Sequence, residues 1–267
     1  MLQNNPIGIF DSGIGGLTVA HAIRQVMPNE SIIYFGDTAH LPYGDKSPES
    51  IISYSKSIAD FLVLNKCKII VIACNTASAH AYEEVKKRSD HIEVVDVVNP
   101  VVEYVAKNYS GKNVGIIGTK GMIQSNVYEK KLTQLNPSIK TISLATGLLA
   151  SMIEEGFVNN AVSKAVLKEY LSVQRFKNID AIVLGCTHYP LIKDEIDEFF
   201  ENSVEVIDSA GIVAQYVKKK ILELGIRTES TCPKETFYVS DFTPYFEKVG
   251  NRFFKQKIQL QLAQIWK

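Results

Sequence analysis

The chain has 267 residues, of which 46% are hydrophobic and 22% are charged, and its 29 Lys and Arg residues balance 29 Asp and Glu residues. This length suits two domains of roughly 100–150 residues each, and the zero net charge argues against a nucleic-acid partner or a membrane surface. The sequence shows no signal peptide and no apolar run approaching the roughly 20 residues of a membrane span, so we expect a cytoplasmic protein.

Short apolar runs alternate along the chain with longer segments of helical periodicity. Many of these runs are apolar throughout, as is typical of strands that helices cover on both faces. The alternation predicts an α/β fold with mainly parallel sheets. The predicted strands are Ile7–Phe10, Ser31–Phe35, Ile69–Ala73, Glu93–Val97, Asn113–Ile117, Thr141–Leu144, Ala181–Leu184, Ser203–Ile207 and Thr236–Val239.

Two helix starts can be predicted from capping residues. Ser47 followed by Pro48 opens the helical segment after the second strand. The chain beyond about Val206 carries one more strand and two helical segments, and Asp241 is the predicted N-cap of the last helix, with Pro244 in its first turn. This tail could complete the first of two domains.

A weak internal repeat supports two related α/β domains. The stretch "IGIFDSGIGG" near the N-terminus resembles "VGIIGTKGMI", and Cys74 and Cys186 are separated by nearly the same number of residues as these two stretches. The crossing between the domains is predicted near Asn99-Pro100. The alternative is chance similarity, because parallel α/β units resemble one another.

The four cysteines are Cys67, Cys74, Cys186 and Cys232. None belongs to a C-x-x-C pair, which argues against a zinc site or a redox role, and disulfides are not expected in a reducing cytosol. Cys67 and Cys232 have no special surroundings in the sequence and are interpreted as ordinary thiols.

Five predicted strands end in polar clusters. In open α/β sheets, function gathers at the carboxyl ends of the strands. Cys74 and Cys186 lie just beyond their apolar runs, where a side chain can face a cleft. The clusters are Asp11-Ser12, Gly36-Asp37-Thr38, Cys74-Asn75-Thr76, Gly118-Thr119 and Cys186-Thr187-His188.

The glycine-rich turn after the first strand does not match a nucleotide-binding motif. Gly13 and Gly15 fit G-x-G, but Thr18 stands where the dinucleotide fingerprint needs its third glycine, and no Walker pattern occurs. The turn could still bring backbone N–H groups to an anion such as a substrate carboxylate. The alternative is a plain strand–helix turn.

The two strand-end thiols suggest acid/base chemistry. A neighbouring histidine or a helix N-terminus stabilises a thiolate, and each cysteine precedes polar residues at a predicted helix start. We expect Asp11 beside Cys74, because sequential strands usually neighbour one another, and His188 beside Cys186. Two thiols across a cleft could remove a proton from one face of a carbon and return one to the other face. The alternative is that both are buried structural thiols.

Several stretches together resemble the cofactor-independent aspartate/glutamate racemase family. They are "IGIFDSGIGGLTV", "YFGDTAHLPYG", "IVIACNTASA", "VVDVVNPVV", "GTKGMIQSNVY", "LGCTHYPLI" and "VIDSA". The resemblance implies two similar α/β domains, 1–98 plus 207–267 and 99–206, with the active site in the cleft between them. It implies interconversion of L- and D-glutamate without a cofactor or metal, and D-glutamate destined for peptidoglycan.

The resemblance also assigns roles to residues. It makes Cys74 and Cys186 the catalytic acid/base groups, with Asp11 and His188 assisting them. The implied substrate contacts are Asp11, Ser12, Tyr43, Gly44, Asn75, Thr76, Thr119, Thr187 and His188.

Two departures from the family pattern concern the site. Met122 stands where the family often has a second threonine, so no hydroxyl contact is expected there. Gly147 and Ala150-Ser151 stand where prolines are frequent, and we therefore assign no role to Glu154 or Glu155, which follow in the same segment.

Two alternatives to a glutamate-specific enzyme remain at this stage. One is an aspartate racemase or another amino-acid racemase of the group. The other is a non-catalytic α/β module that binds a small anion or nucleotide. The sequence does not give the oligomeric state, and a homodimer is one open alternative.

Overall fold

The computed structural model describes residues 2–266 and contains two parallel β-sheets. The first has six strands in the order β10-β9-β2-β1-β3-β4, and the second has four in the order β6-β5-β7-β8. The strands are β1 (Ile7–Asp11), β2 (Ile32–Gly36), β3 (Ile69–Ile72), β4 (Glu93–Asp96), β5 (Asn113–Gly118), β6 (Lys140–Ala145), β7 (Ala181–Gly185), β8 (Glu205–Ile207), β9 (Glu235–Val239) and β10 (Leu260–Leu262). The predicted α/β fold with parallel sheets is confirmed.

Helices connect the parallel strands, as parallel pairing requires. They are α1 (Leu17–Val26), α2 (Pro48–Leu64), α3 (Asn75–Arg88), α4 (Val98–Asn108), α5 (Lys120–Ser125), α6 (Val127–Leu135), α7 (Leu148–Glu154), α8 (Ala161–Leu171), α9 (Lys193–Phe199), α10 (Ser209–Glu223) and α11 (Pro244–Phe254). Within residues 2–266, no helix combines the length and the apolar character that crossing a bilayer requires.

All nine predicted strands are present, each within about two residues of its predicted bounds. The completely buried β1, β3 and β7 explain why apolar runs located them. The tail adds two strands to the first sheet rather than the single predicted one. The missed strand, β10, is three residues long, lies at the sheet edge and exposes Gln261 and Leu262, so it carries no apolar run.

The capping prediction is confirmed for α2 and wrong for α11. Ser50 N–H donates to the Ser47 hydroxyl before Pro48. For α11, the N-cap is Thr243, whose Oγ1 accepts from the Phe246 N–H at 3.2 Å. Asp241 lies two residues too early, and its own N–H donates to the side chain of Thr38.

One hydrophobic cluster joins the two sheets. It includes Ile9 and Val71 of the first sheet and Ile182 and Leu184 of the second. Burial of this shared apolar surface holds the sheets in a fixed relation. The division into domains 1–98 plus 207–267 and 99–206 stays a prediction, and β8 ends at Ile207.

A buried ion pair ties four distant segments together at the amino ends of the strands. Lys68 Nζ lies 2.5 Å from Glu30 Oε2 and also donates to the carbonyls of Gln3 and Ile226 at 2.6 and 2.9 Å. The other oxygen of Glu30 accepts the Thr228 N–H at 3.0 Å. Both charged side chains are almost completely buried, so each depends on the other for its solvation.

We predict that Lys68→Met strongly destabilises the fold. The substitution leaves Glu30 buried without its counter-charge, and loss of one partner of a buried pair costs about 3–5 kcal/mol. Urea denaturation measures the change. Lys87→Met is the matched control, because Lys87 pairs with Glu84 on the surface, where an ion pair contributes little. Equal stability of the two variants would contradict the prediction.

Candidate active site

Strand register brings polar residues of both sheets to one cavity. In the first sheet, Phe10 pairs with Ile72, and continuing that register by two residues sets Ser12 beside Cys74. In the second, Gly118 pairs with Gly185, which sets the following residues, Thr119 and Cys186, side by side.

A single cavity contains nearly all of the predicted site residues. Both Cys74 and Cys186 line it, so one thiol comes from each sheet. Asp11 is completely buried behind the wall. The other predicted residues all line the cavity: Ser12, Tyr43, Gly44, Asn75, Thr76, Thr119, Thr187 and His188.

The Cys74 thiol is the N-cap of α3. Its Sγ accepts the Ala77 N–H at 3.4 Å and lies 3.6 Å from Ser12 Oγ. Burial, and secondly the negative charge of Asp11, raise the pKa of Cys74 to about 12. Before a ligand enters, Cys74 is therefore a protonated thiol.

The carboxylate of Asp11 accepts the hydrogen bonds of the glycine turn. The N–H groups of Gly13 and Gly16 donate to Asp11 Oδ2 at 3.2 and 3.0 Å. The expectation that this turn holds a substrate anion is therefore wrong, because the protein supplies the anion itself.

Asp11 acts on both halves of the site. Burial raises the pKa of its carboxyl, although His188 and the backbone N–H groups oppose the rise. Across the cleft, the Thr187 hydroxyl donates a hydrogen bond to Asp11 Oδ1 at 3.5 Å. Towards Cys74 it acts through its charge.

Cys186 is paired with a histidine that a carboxylate supports. His188 Nδ1 lies 3.6 Å from Cys186 Sγ, and Nε2 lies 2.7 Å from Glu154 Oε1. Burial lowers the pKa of His188, but the charges and hydrogen bonds of Cys186 and Glu154 outweigh it and raise that pKa well above its usual value of 6.5. An imidazolium at this distance stabilises a thiolate.

The predicted helix start directly after Cys186 is wrong. A short 3₁₀ helix, Tyr189–Ile192, begins there with His188 at its N-cap position, and α9 begins only at Lys193. The support for Cys186 therefore comes from the His188 side chain rather than from a helix N-terminus.

Glu154 is the functional residue that sequence reasoning missed. It ends α7 and lines the cavity, whereas Glu155 makes no comparable contact with His188. No local pattern marks Glu154, because its partner His188 lies far along the chain. The other unpredicted lining residues are Gly13, Leu41, Pro42, Ala150, Ser151 and Gly185.

A second buried carboxylate, Asp37, fixes the wall formed by Tyr43. The Tyr43 hydroxyl donates to Asp37 Oδ2 at 2.6 Å, and Ser240 Oγ donates to Oδ1 at 2.7 Å. His40 Nδ1 lies 2.8 Å from the same Oδ1. Asp37 is fully buried, so the bonds that it accepts compensate for its lost hydration.

The two halves approach each other closely around the cavity. Thr76 Oγ1 lies 2.8 Å from Thr119 Oγ1 across the cleft. A Cβ on Gly44 would stand 2.7 Å from the Cβ of Thr119, so glycine is required there by contact rather than by a turn.

Cys67, Cys232 and Met122 do not line the cavity. Met122 is buried, with its methyl group filling the space above Gly118 and Gly185. Cys67 packs in the core, where burial raises its pKa to about 12, and Cys232 is exposed. Within residues 2–266, no group of three or more His, Cys, Asp or Glu side chains is arranged to hold a metal ion.

These groups suit proton transfer at a carbon atom. The cavity offers one thiol held protonated, a second thiol beside an imidazolium, and an amide N–H₂ of Asn75 that has no partner among the described residues. A possible acid and a possible base therefore lie on two walls of the cavity, and the Asn75 amide supplies a hydrogen-bond donor between them.

Comparison with known proteins agrees with this geometry. A family model described as Asp/Glu/Hydantoin racemase matches residues 17–217. A glutamate racemase of Geobacter metallireducens is 43% identical over 254 residues, 94% of this chain and 93% of that protein.

Solved structures are similar over almost the whole chain. A glutamate racemase of Francisella tularensis, crystallised with D-glutamate, has a TM-score of 0.93 at 40% identity and covers 98% of each chain. One from Bacillus anthracis has a TM-score of 0.93 at 34% identity, again over 98% of each chain. The chain therefore belongs to the Asp/Glu/hydantoin racemase family and is an isomerase.

Proposed function

We propose that this chain is a glutamate racemase in which Cys74 and Cys186 form the acid/base pair. The observation that carries the proposal is that thiols from the ends of β3 and β7 line the same cavity. Glutamate is the proposed substrate because the similar proteins bear that name and because the Francisella structure contains D-glutamate.

A two-base reaction requires one thiolate and one thiol at its start, and the raised pKa of Cys74 together with the imidazolium beside Cys186 supports Cys186 as the first base. The Cys186 thiolate, stabilised by His188, takes the α-proton of one enantiomer, and the Cys74 thiol gives a proton to the opposite face of the carbon. Afterwards Cys186 is a thiol and Cys74 is a thiolate. The site returns to its starting state by exchanging protons with water or by running the reverse reaction.

Removal of an α-proton requires stabilisation of the developing negative charge. Asn75 and Thr76 are the first two residues of α3 and line the cavity, so the N-terminal end of the helix dipole lies there and favours a carboxylate. The Asn75 side-chain NH₂ group, which has no partner among residues 2–266, adds a further donor. Preorganised donors of this kind stabilise an enolate-like transition state.

The proposal also covers the use of the product and the location of the enzyme in the cell. D-Glutamate made by the enzyme would enter peptidoglycan synthesis in the cytoplasm, without a cofactor. The two-domain division and a homodimer stay predictions, and sedimentation velocity tests the latter.

We predict that Cys74→Ser and Cys186→Ser each abolish racemisation, by at least about 10³-fold. A serine hydroxyl is a far weaker acid than a thiol, and positioned acid/base groups contribute about 10²–10⁴-fold each. In D₂O, each variant should exchange the α-hydrogen of only one enantiomer and without inversion, since one base remains. Circular dichroism and proton NMR follow the two processes.

Cys232→Ser is the control for the thiol variants, because Cys232 is exposed and lies outside the cavity. It should keep wild-type activity. Near-full activity in either single active-site variant would refute the two-thiol mechanism.

We predict that Glu154→Gln shifts the alkaline limb of the pH–rate profile to lower pH. The pKa of His188 is raised, so the imidazolium is present through neutral pH and is lost as the pH rises through that raised value. Without the Glu154 charge, the pKa of His188 falls and the imidazolium is lost at a lower pH. Cys186, Asp11 and Thr187 still face the ring in this variant. Measurement of kcat/KM against pH in the two proteins gives the displacement.

Glu155→Gln is the matched control, since the neighbouring acid makes no hydrogen bond to His188. Its pH profile should overlie that of the wild type. If the Glu154 variant also overlies it, Glu154 does not support the imidazolium.

We predict that purified protein racemises glutamate at least about ten-fold faster than aspartate. A site fitted to the longer side chain would hold aspartate with its α-carbon misplaced, and small displacements reduce rates steeply. Parallel chirality assays decide the matter. Faster aspartate turnover would favour the aspartate racemase alternative, and no exchange with either amino acid would favour a binding module.

A further inference from the structure

The Asn75 amide is held by a tyrosine from the other half of the molecule. The Tyr128 hydroxyl donates to Asn75 Oδ1 at 2.9 Å. Asn75 is the first residue of α3, which follows the first sheet's β3, whereas Tyr128 belongs to α6 beside the second sheet. The bond therefore crosses the cleft that carries the two thiols.

Both partners are almost completely buried, each with 2% of its surface exposed. Tyr128 packs with Val101, Val105 and Leu132 in the core beneath the second sheet. Its ring is therefore fixed by packing, and its hydroxyl donates to one polar atom, Asn75 Oδ1. A buried hydrogen bond of this kind determines an orientation more than it contributes net stability.

The orientation matters because the amide has one carbonyl oxygen and one NH₂ group. The carbonyl oxygen is occupied by Tyr128, and the Nδ2 atom has no partner among residues 2–266. Asn75 lines the cavity. A buried donor without a partner, facing a cavity, requires an acceptor from a ligand.

The chain uses an unusual backbone conformation to place Tyr128. Asn126, between α5 and α6, has a φ of 54°, in the left-handed region that asparagine tolerates better than most residues. The break at Asn126 redirects the chain, and Tyr128 follows it by two residues.

We propose that Tyr128 is a positioning residue for substrate binding, whose hydroxyl holds the Asn75 amide so that Nδ2 donates to a carboxylate oxygen of the substrate. This inference rests on the proposed racemase function and adds to it a residue that does not line the cavity. Tyr128 acts through Asn75, and it makes one substrate contact depend on the relative placement of the two sheets.

Tyr128→Phe tests the proposal. The KM for glutamate should rise about five- to ten-fold, the factor expected for one neutral hydrogen bond. Tyr109→Phe is the matched control, since it removes a tyrosine hydroxyl from the same hydrophobic cluster but away from the cavity. It should leave KM unchanged, and both variants should melt at similar temperatures. A Tyr128 variant with wild-type KM would overturn the proposal.

A double-mutant cycle separates positioning from a general structural effect. In an Asn75→Ala background, Tyr128→Phe should change KM by less than about two-fold, because the group that it orients is gone. Asn75→Asp keeps an acceptor for Tyr128 but removes the donor, and should raise KM at least as much as Asn75→Ala. Additive effects, or wild-type binding by Asn75→Asp, would show the inference to be wrong.

A measurement on the wild-type protein does not depend on the folding of any Tyr128 variant. The side-chain NH₂ signal of Asn75, assigned by its loss in Asn75→Ala, should shift in nitrogen–proton NMR spectra when glutamate is added. An unchanged signal would overturn the inference. If wild-type protein racemises glutamate while these tests fail, only the inference falls; if it racemises neither glutamate nor aspartate, the proposed function falls with it.

Discussion

Parallel pairing of β1 with β3 and of β5 with β7 is the constraint on which the site depends. In each sheet the register sets a hydroxyl residue beside a cysteine at the carboxyl end, Ser12 beside Cys74 and Thr119 beside Cys186. The thiols reach the cavity because their strands end one or two residues earlier. A shift of either strand by one residue would turn the thiol to the opposite face of the sheet, so the buried strand cores position the chemistry.

Although the two halves present similar residues, they give their thiols different surroundings. Cys74 lies in a buried position near Asp11, which favours the protonated form. Cys186 lies beside an imidazolium that Glu154 supports. The proposed two-thiol reaction would nevertheless use both thiols in both protonation states. In that proposal, the α-ammonium group of a bound amino acid would bring positive charge near Cys74, and such a charge favours a thiolate. On this view the substrate itself reduces the difference between the two thiols.

Much of the fold could be predicted from the sequence because its strands are buried on both faces. Runs such as Ile69–Ala73 have no polar interruption, and the polar residues that follow mark the strand ends. The parts that were missed depend on contacts between distant segments. Glu154 becomes part of the site only because α7 packs near His188, and β10 is too short to produce a pattern. The glycine turn was misinterpreted for a different reason: its N–H groups do bind an anion, but the anion is Asp11, which precedes the turn.

The proposed reaction requires close control of the distance between the two cavity walls, since proton transfer needs reacting atoms within about 3–3.5 Å of each other. Contacts between the halves supply that control. A Cβ on Gly15 would stand 2.5 Å from the His188 ring, just as one on Gly44 would strike Thr119. Neither glycine has a positive φ, so the backbone conformation does not explain why a side chain is absent. The explanation is the close approach itself. A methyl group at Gly15 would force the turn of the first half away from His188. In the proposed reaction, that displacement would also separate Cys74 from Cys186, the two groups that must reach the same carbon atom.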